Sequence, residues 1–479
     1  SYSSAASDVY KRQHKTLYWL RRDFRITDNP CLEFISNQKS EALLVYIYDD
    51  IEKKATGDAG HWWLEKTLRL HAKKLEQTFN VKLIILKGEA KKNISDLVKK
   101  YKITSLIWNR LYSQQSIRRD TEIKKFFKES SIQVDTFNSH LLNEPWEVQN
   151  NSGQYFKVFT PFWRAAYKVY LNKKFSYKKK IFIKPLRHNQ KTDLSFFDNK
   201  NWFEKFDKHW SPGEDAALKK IDTYISSDID KYEVNRNRPD FDQTSRISPH
   251  LRFGEISPRV IIEKIQDSKK MNNSINTYLS EIGWREFSYS LLYYSEDLSN
   301  KPINPKFKKF PWRNSKKDFT IWTKGETGIP LVDAAMKQIY EEGWMHNRLR
   351  MVVGSFLVKN LLLNWTLGEN YFHKSLLDYD EASNAAGWQW IAGCGADASP
   401  YFRVFNPVLQ SEKFDPQAQF ILKYIPQLKI FNSTKTIFEP YLDENLLKNL
   451  IKDKKYFNPI VDLKDSRNRA LEAYQQTKS

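Results

Sequence analysis

The chain has 479 residues, which is too long for a single ordinary hydrophobic core, so two or three domains are expected. Its 78 basic and 57 acidic side chains give a formal net charge of +21. This excess favours a polyanionic partner, because lysine and arginine release the counterions that are condensed on phosphate. A genome rich in A and T, which prefers lysine codons, is the alternative source of this charge.

The composition also excludes several classes of protein. The only two cysteines, Cys31 and Cys394, rule out a disulfide framework or a zinc site, and such usage is typical of an intracellular protein. We expect no bound metal. The longest apolar stretch, 351–363, is interrupted by Lys359 and Asn360, so no membrane span is predicted.

Short apolar runs alternate with helical segments between residues 16 and 140. The runs are 17–20, 42–48, 81–86, 105–108 and, more weakly, 134–137, and a stripe of helical period covers 61–79. Parallel strands joined by crossover helices produce this alternation, so we predict a doubly wound, Rossmann-like α/β domain over 16–140. No GxGxxG motif follows the first run, which argues against dinucleotide binding in the usual Rossmann manner. Residues 1–15 are expected to be a disordered extension or a remnant of cloning.

The rest of the chain has few strand signals. Residues 141–210 are polar, lysine-rich and irregular, which indicates a connector between domains with one helix over about 161–171. A cap-like Ser211-Pro212-Gly213 precedes a predicted helix over 216–225, and helical stripes recur to about 430. We therefore predict a large all-α domain over 211–479.

Two motifs in this helical region suit the binding of phosphates and bases. The string TSRIS, residues 244–248, offers adjacent hydroxyls, an arginine and free backbone N–H groups that can cradle a diphosphate, although a simple N-cap is the alternative. Glu281, Trp284 and Arg285 share one helical face. They can clamp a base and a phosphate, or they form a surface ion pair beside a core tryptophan.

A second group lies between residues 344 and 390. Asn347 and Met351 are one helical turn apart, and an amide among apolar neighbours indicates a polar network or a ligand. Methionine is polarizable and suited to lying against a flat ring. The segment 378–384 adds three acids and an amide, which accept from ribose hydroxyls, pair with Arg350, or form an ordinary acidic first turn of a helix.

Longer strings in the sequence resemble the photolyase/cryptochrome flavoproteins, and most closely the class I cyclobutane pyrimidine dimer photolyases. They are WLRRDFRITDNP (19–30), KVFTPFWRA (157–165), TSRIS, EIGWREF (281–287), GETGIPLVDAAM (325–336), GWMHNRLRM (343–351), NAAGWQW (384–390) and DASPYFRVFNP (397–407). The resemblance covers residues 16 to about 428. It implies an N-terminal α/β domain and a C-terminal helical domain that holds a U-shaped FAD, in agreement with the segmentation above.

The resemblance implies a set of FAD-binding residues. The phosphates and the ribityl region are assigned to Tyr232, Thr244, Ser245, Arg246, Ile247 and Ser248. Other polar parts of FAD are assigned to Asp378, Tyr379 and Asp380, with Arg350 paired to Asp378. Asn384 is expected to face the flavin N5. A neutral amide there fits a photolyase, which keeps a reduced, anionic flavin, whereas an acid, as in plant cryptochromes, can donate a proton to N5.

The substrate and the electron path follow in the same way. Trp284 and Trp390 are expected to form the apolar wall for a flipped dimer, with Met351 beneath it. Glu281 and Asn347 are expected to bond the pyrimidine edges, and Glu281 to stabilise the radical anion of the dimer. Contacts to the DNA backbone and rim are assigned to Arg285, Arg348, Arg403 and Gln410. The family's tryptophan chain for photoreduction matches Trp388, Trp365 and Trp312.

The implied activity is light-driven DNA repair by a deoxyribodipyrimidine photo-lyase, in which excited reduced FAD splits a flipped-out dimer. The expected partner is UV-damaged DNA, single- or double-stranded, and the expected form is a monomer in the cytoplasm, associated with the nucleoid in a bacterium. The alternatives are a signalling cryptochrome, a non-photochemical DNA-binding flavoprotein and a (6-4) photolyase. The last subfamily carries a His-His pair where this chain has His346 and Asn347, and a His where it has Met351.

A second, antenna chromophore is also implied by the resemblance. Many class I enzymes bind folate with an Asn-Glu pair after the fourth strand, but the corresponding stretch 112–116 contains no acid. Folate, a deazaflavin, a flavin or no antenna therefore remain open.

Overall fold

The computed structural model describes residues 14–190, 194, 197, 201–401 and 403–476, without the side chains of 201 and 202. The expected extension, 1–15, lies outside the described residues except for its last two positions. Lys15 is already the first residue of a strand, so regular structure starts one residue before the predicted boundary at 16.

The N-terminal region is built on a parallel sheet. Its strands are β1 (Lys15–Leu20), β2 (Glu41–Tyr48), β3 (Ile84–Lys87), β4 (Ser105–Asn109), β5 (Gln133–Phe137) and β6 (Lys184–Pro185). The order is β3–β2–β1–β4–β5, with β6 paired to the start of β2, and all pairings are parallel. The chain reverses its winding between β1 and β4, so the predicted doubly wound α/β domain is confirmed. Strand β6 escaped prediction because two residues show no alternation.

Helices cover both faces of this sheet. They are α1 (Pro30–Gln38), α2 (Asp50–Thr56), α3 (Asp58–Phe79), α4 (Ala90–Tyr101) and α5 (Gln114–Glu129). Asn29, Asp49 and Ser113 cap α1, α2 and α5 by accepting backbone N–H groups. With both faces covered, β1 and β2 are buried along almost their whole length, which explains their continuous apolar runs.

Beyond Pro185 the regular structure of the described residues is helical, apart from one β-bridge between Arg313 and Leu363. The helices after the sheet are α6 (Phe159–Asn172), α7 (Glu214–Ser227), α8 (Tyr232–Asn235), α9 (Ser248–Arg252), α10 (Pro258–Ser268), α11 (Asn273–Tyr294), α12 (Lys316–Lys324), α13 (Pro330–Glu342), α14 (Asn347–Ser355), α15 (Trp365–Ser375), α16 (Glu381–Ala392), α17 (Pro407–Phe414), α18 (Gln419–Tyr424), α19 (Thr434–Phe438), α20 (Glu444–Lys452) and α21 (Leu463–Gln475). Short 3-10 turns cover Pro145–Glu147, Asn201–Lys208, Ile229–Lys231, Pro305–Lys309, Pro426–Ile430 and Pro440–Leu442, and a π-helical turn covers Phe356–Asn360. The predicted all-α C-terminal domain is confirmed. Within the described residues, no helix combines the length and the apolar character needed to cross a membrane.

Helix α11 lies at the centre of the helical region and packs against α6, α8 and α16, while α16 also packs against α14 and α15. Gly283 allows the close approach of α6, because a Cβ at that position would lie 2.5 Å from the ring of Trp163. A methyl group there would force the two helices apart. The packing of α6 against α11 therefore depends on a small residue in the middle of α11.

The loop after β1 joins the sheet to the helical region. Arg25 is buried and donates to the carbonyl oxygens of Gly254 at 3.0 Å and Ser139 at 2.7 Å. The Glu214 carboxylate accepts from the backbone N–H groups of Ile26 and Thr27 at 2.9 and 2.8 Å. These buried bonds tie the carboxyl edge of the sheet to the helices that surround the site.

Candidate active site

A cavity of about 490 Å³ opens between α11, α14, α15 and α16, and its size is ordinary for a cofactor site. Most of the predicted site residues line it. They are Ser248, Glu281, Trp284, Arg285, Asn347, Arg350, Met351, Asp378, Tyr379, Asp380, Asn384, Trp388 and Trp390. Side chains from four separate helices and the loop before α16 thus meet at one place.

One side of the cavity is built from an ion pair. The Arg350 Nη2 donates to both carboxylate oxygens of Asp378, at 3.0 and 2.8 Å, and Nε donates to the Met345 carbonyl at 2.8 Å. Ser248 Oγ donates to the same carboxylate at 2.6 Å. The predicted pairing of Arg350 with Asp378 is present, and it leaves a fixed, charge-balanced surface with acceptor capacity toward the cavity.

Asp380 begins α16 and is buried in a polar network. It accepts from the backbone N–H of Ser383 at 3.0 Å and from the hydroxyl of Tyr289. Burial by itself raises the pKa of Asp380, but the nearby Arg285 and Arg252 guanidinium groups reverse this, and the net pKa is lowered. Asp380 therefore stays ionised and able to accept hydrogen bonds from hydroxyl groups.

Arg285 lies in this network rather than on the outer rim. Its guanidinium donates to the His140 carbonyl at 2.8 Å and lies 2.7 Å from His140 Nε2, and only 12% of the side chain is exposed. Burial, and then Arg285, lower the pKa of His140, which is therefore neutral. Arg285 thus lies in the cavity wall with its donors directed inward, and its contact with the DNA backbone stays a prediction.

Asn384 is held by a residue that the sequence did not single out. Its Nδ2 donates to the carboxyl Oε1 of Glu369 at 3.0 Å and to the Glu369 carbonyl at 3.2 Å. Both amide hydrogens of Asn384 are thereby directed at Glu369, which leaves Oδ1 as an acceptor for the cavity. Burial raises the pKa of Glu369 to about 7. In sequence Glu369 resembles a surface residue of α15, and only its spacing from Phe372, on the same buried face, hints at burial.

Glu281 is ion-paired at the mouth of the cavity. Its carboxylate lies 2.7 Å from Arg236 Nη2, and Arg236 also covers the ring of Tyr232 at 5.3 Å. Burial raises the pKa of Glu281, and Arg236 offsets only part of this effect, so the net pKa is above the ordinary value. Arg236 was missed in the sequence because it lies 45 positions before Glu281 in an irregular segment.

The apolar wall at the mouth is rigid. The ring of Trp284 stacks on Phe159 with centroids 3.8 Å apart and planes 7° apart, so one face is covered and the other is left for the cavity. Met351 is partly buried against the helical core and Asn347 is exposed at the start of α14. Phe159, from the predicted connector, is thus a further residue that positions the wall.

The TSRIS loop contributes less to the cavity than expected. Of its five residues only Ser248 lines the main cavity, whereas Thr244 and Arg246 line a separate space of about 110 Å³. Ile247 and Tyr232 pack in an apolar cluster, and Ser245 accepts from Tyr278 at 3.2 Å.

Arg246 has a left-handed backbone with φ of 46° and its side chain is directed away from the main cavity. The guanidinium lies between the rings of Trp210 and Trp344, 4.5 Å from each, and donates to Glu342 at 2.6 Å. The contact of Arg246 with the phosphates and ribityl region of FAD stays a prediction. Arg246 anchors the TSRIS loop on the side away from the main cavity, because its guanidinium already contacts two indoles and a carboxylate.

The three tryptophans expected to conduct electrons differ in exposure. Trp388 lines the cavity and is 3% exposed, Trp365 is buried, and Trp312 is partly buried against the core, 4.2 Å from the ring of Phe310. Gly368 leaves room for the indole of Trp388, because a Cβ at position 368 would lie 2.1 Å from that ring. A fourth tryptophan, Trp322, contacts Trp388 edge to face at 6.3 Å, and the sequence did not identify it.

The remaining predicted residues, Arg348, Arg403 and Gln410, do not line the cavity. Arg348 donates to the Asn237 side chain at 2.6 Å and its guanidinium covers the ring of Phe414 at 4.5 Å. Arg403 is exposed and Gln410 is partly exposed on α17. Among the described residues, no cluster of His, Cys, Asp and Glu could hold a metal ion.

Comparison with known proteins shows to which family this chain belongs. Residues 16–180 match the family model described as DNA photolyase, and residues 278–476 match the model described as the FAD binding domain of DNA photolyase. The deoxyribodipyrimidine photo-lyase of Agrobacterium fabrum is 37% identical, over 96% of this chain and 98% of that protein. This chain belongs to the DNA photolyase/cryptochrome family.

Two further members of the family help to place the chain. Cryptochrome-1 of Arabidopsis thaliana is 31% identical over 96% of this chain and 70% of that protein. The crystal structure of a bacterial class III photolyase from Agrobacterium tumefaciens superimposes with a TM-score of 0.90, at 36% identity over 98% of each chain. The family prediction is confirmed, and the finer prediction of class I stays a prediction.

FAD is the cofactor of this photolyase-family chain, and the cavity fits it. Asp378 and Asp380 are anchored acceptors suited to hydroxyl groups, and Asn384 presents a carbonyl oxygen beside the flat indole of Trp388. The arginines of the wall balance the acids, so a cofactor with a diphosphate meets no unpaired carboxylate of Asp378 or Glu281.

Proposed function

We propose that this protein repairs UV-damaged DNA in light, splitting cyclobutane pyrimidine dimers at the cavity between α11, α14 and α16. The observation that supports this most directly is a pair of polar groups that both line the cavity. One is the neutral amide of Asn384, oriented by Glu369, and the other is the carboxyl of Glu281, held by Arg236. The first suits a flavin ring and the second suits the carbonyl edge of a pyrimidine.

The FAD is held by Ser248, Arg350, Asp378, Tyr379 and Asp380, with Asn384 at the flavin edge. When bound, reduced and excited by light, FAD supplies the electron that opens the cyclobutane ring and accepts it back, so there is no net redox change. The chain contributes the orientation of both partners, because the Arg350–Asp378 pair is fixed by two further hydrogen bonds, from Ser248 and to the Met345 carbonyl.

The dimer lies against the open face of Trp284, with Trp390 and Met351 around it. Phe159 stacks on the Trp284 ring and fixes its orientation, so the wall excludes water without a change of side-chain conformation. Burial raises the pKa of Glu281, which eases its protonation; once protonated, the carboxyl leaves its ion pair with Arg236 and donates a hydrogen bond to a pyrimidine carbonyl oxygen. That bond strengthens as negative charge develops on the dimer, and this is the catalytic role of Glu281.

The DNA backbone lies along the exposed Arg403 and the partly exposed Arg348 and Gln410 and is attracted by the formal net charge of +21. A damaged pair stacks poorly and costs less to extrude, so dimers in single- and double-stranded DNA are both substrates. The protein acts as a monomer on the DNA inside the cell, at the nucleoid in a bacterium. An antenna chromophore of one of the three expected kinds adds light absorption.

A blue-light signalling cryptochrome is the second candidate, favoured by the similarity to cryptochrome-1. A dimer-containing oligonucleotide, incubated with anaerobic, reduced holoprotein under blue or near-UV light, distinguishes the two. We expect light-dependent loss of dimers by chromatography and none in darkness. An oligonucleotide with a (6-4) product is the matched control. Repair of that lesion instead would assign the protein to the (6-4) subfamily, and repair of neither would favour signalling or light-independent binding.

A further inference from the structure

Lys359 is a lysine without exposed surface in the helical core. It lies in the π-helical turn Phe356–Asn360, which continues α14 directly from the cavity wall. Leu361 donates its backbone N–H to the Phe356 carbonyl at 2.9 Å, the i to i+5 bond of such a turn. Single π-helical turns recur at functional sites because the extra residue redirects the side chains that follow. Burial of an ammonium group is costly, so Lys359 needs an explanation.

The ammonium group of Lys359 is bonded to a loop rather than to an acid. Its Nζ donates to the Arg403 carbonyl oxygen at 2.7 Å and lies 5.3 Å from the centre of the Tyr401 ring. Burial, followed by the nearby Arg403, lowers the pKa of Lys359 to about 7. No carboxylate among the described residues forms an ion pair with it. The contact that holds this side chain is therefore with the backbone at Arg403.

This loop, 393–406, connects α16 to α17 at the mouth of the cavity. Ser399 donates its backbone N–H to the carbonyl of Trp390, a cavity residue, at 3.1 Å. Phe405 donates its backbone N–H to Ser355 Oγ, at the end of α14, at 3.1 Å. The loop is thus fastened to α16 before Arg403 and to α14 after it, while Arg403 itself remains exposed.

We infer that Lys359 is a positioning residue for DNA binding, which fixes the backbone at Arg403 so that this guanidinium faces the DNA phosphates beside the cavity. The inference rests on the proposed function, because it takes Arg403 as a phosphate contact. Lys359 touches no DNA itself. It lowers the conformational entropy that the loop would otherwise lose on binding, and so raises affinity without contributing a contact.

The test compares Lys359→Met with Arg403→Ala in the FAD-containing protein. Dissociation constants for a dimer-containing duplex are measured in darkness by fluorescence anisotropy at several salt concentrations. We expect both variants to weaken binding by about tenfold and to lower the slope of log K against log salt by about one, since one phosphate contact is lost. Lys448→Met is the matched control, because it removes the same charge from an exposed pair with Glu444. Its affinity and slope should equal those of the wild type.

A merely structural lysine would not change the salt slope. Full FAD occupancy of Lys359→Met with a wild-type slope would therefore overturn the inference, as would a double variant with Arg403→Ala that binds much more weakly than Arg403→Ala alone. If Lys359→Met does not retain FAD, Ser355→Ala is tested in its place. We expect a smaller loss of affinity and a smaller decrease of the salt slope. An affinity and slope equal to those of the wild type would contradict the inference. A wild-type protein that does not prefer dimer-containing DNA would contradict the proposed function as well.

Discussion

Replacement of Glu369 by glutamine is expected to make the protein more stable at alkaline pH. Glu369 is 3% exposed, and burial raises the pKa of its carboxyl from the ordinary 4.5 to about 7. The folded state therefore favours the protonated carboxyl, whereas the unfolded chain ionises above pH 4.5. Stability consequently falls as pH rises from 4.5 to about 7 and stays reduced above it. Glutamine is permanently neutral, has the same size and keeps an oxygen for Asn384.

The size of the effect follows from the two pKa values. Each pKa unit corresponds to 1.36 kcal/mol, so the interval between 4.5 and about 7 corresponds to roughly 3 kcal/mol at pH 8 and to almost nothing at pH 4.5. In a chain of this length 1 kcal/mol shifts the melting temperature by about 2 °C or less, so a rise of several degrees is expected at pH 8.

Melting temperatures of the wild type and Glu369→Gln, measured from pH 5 to 8.5 at one scan rate, test this reasoning. The difference should grow steadily from pH 5 to about pH 7 and then level off. Glu444→Gln, an exposed control, should show no such dependence. A difference of equal size at pH 5 and pH 8.5 would refute the raised pKa of Glu369.

The companion variant Glu369→Leu separates stability from function. It removes the carboxyl acceptor and leaves the Asn384 amide with the backbone carbonyl of residue 369, a loss of about 1–3 kcal/mol for a buried donor. We expect lower repair per photon from Glu369→Leu and near-normal repair from Glu369→Gln. Equal repair by both variants would show that the orientation of Asn384 does not depend on this carboxyl.

Three other variants address single roles. Glu281→Ala should leave the dissociation constant of dimer-containing DNA within about threefold of wild type. The number of dimers repaired per photon should fall severalfold, because the loss of one hydrogen bond costs about 1 kcal/mol. Trp388→Phe should block the photoreduction of oxidised FAD, which is measured by the visible absorption of the flavin. Repair should be preserved when a chemical reductant is added. An equal loss of photoreduction and repair would contradict the electron path. Arg246→Ala should lower the flavin-to-protein absorbance ratio of the purified protein, since the guanidinium leaves both indoles and Glu342. A normal ratio would show that the loop needs no such support.

The parallel sheet and the main helices were predictable because their signals are local. Continuous apolar runs mark β1 and β2, which are buried on both faces, and the helix predicted over 61–79 is part of α3. The two-residue strand β6 has no such signal. Its pairing with β2 depends on the path of the connector, which is a property of the folded chain rather than of its own residues.

The residues that line the cavity were predictable from the sequence, but the residues that hold them in position were not. Glu281, Asn384 and Met351 belong to strings that resemble a known family, and all three line the cavity. Arg236 and Glu369, which hold Glu281 and Asn384, come from other elements of the chain. The direction of the Arg246 side chain depends on Trp210 and Trp344, which approach it only after folding. Pattern in one segment does not specify contacts between segments.

These partners share an electrostatic logic that argues for the proposed function. Asp378 is paired with Arg350, Glu281 with Arg236, and Asp380 lies near Arg285 and Arg252, so each of these acids is balanced by a cation. Glu369 has no lysine or arginine partner in the described part of the chain, and its pKa of about 7 leaves about half of it neutral at pH 7 and most of it neutral below that pH. A site arranged in this way limits the uncompensated negative charge beside the flavin ring. Such a site tolerates a reduced, anionic flavin better than one with an ionised acid at the position of Asn384 would, because like charges in a buried cavity repel strongly.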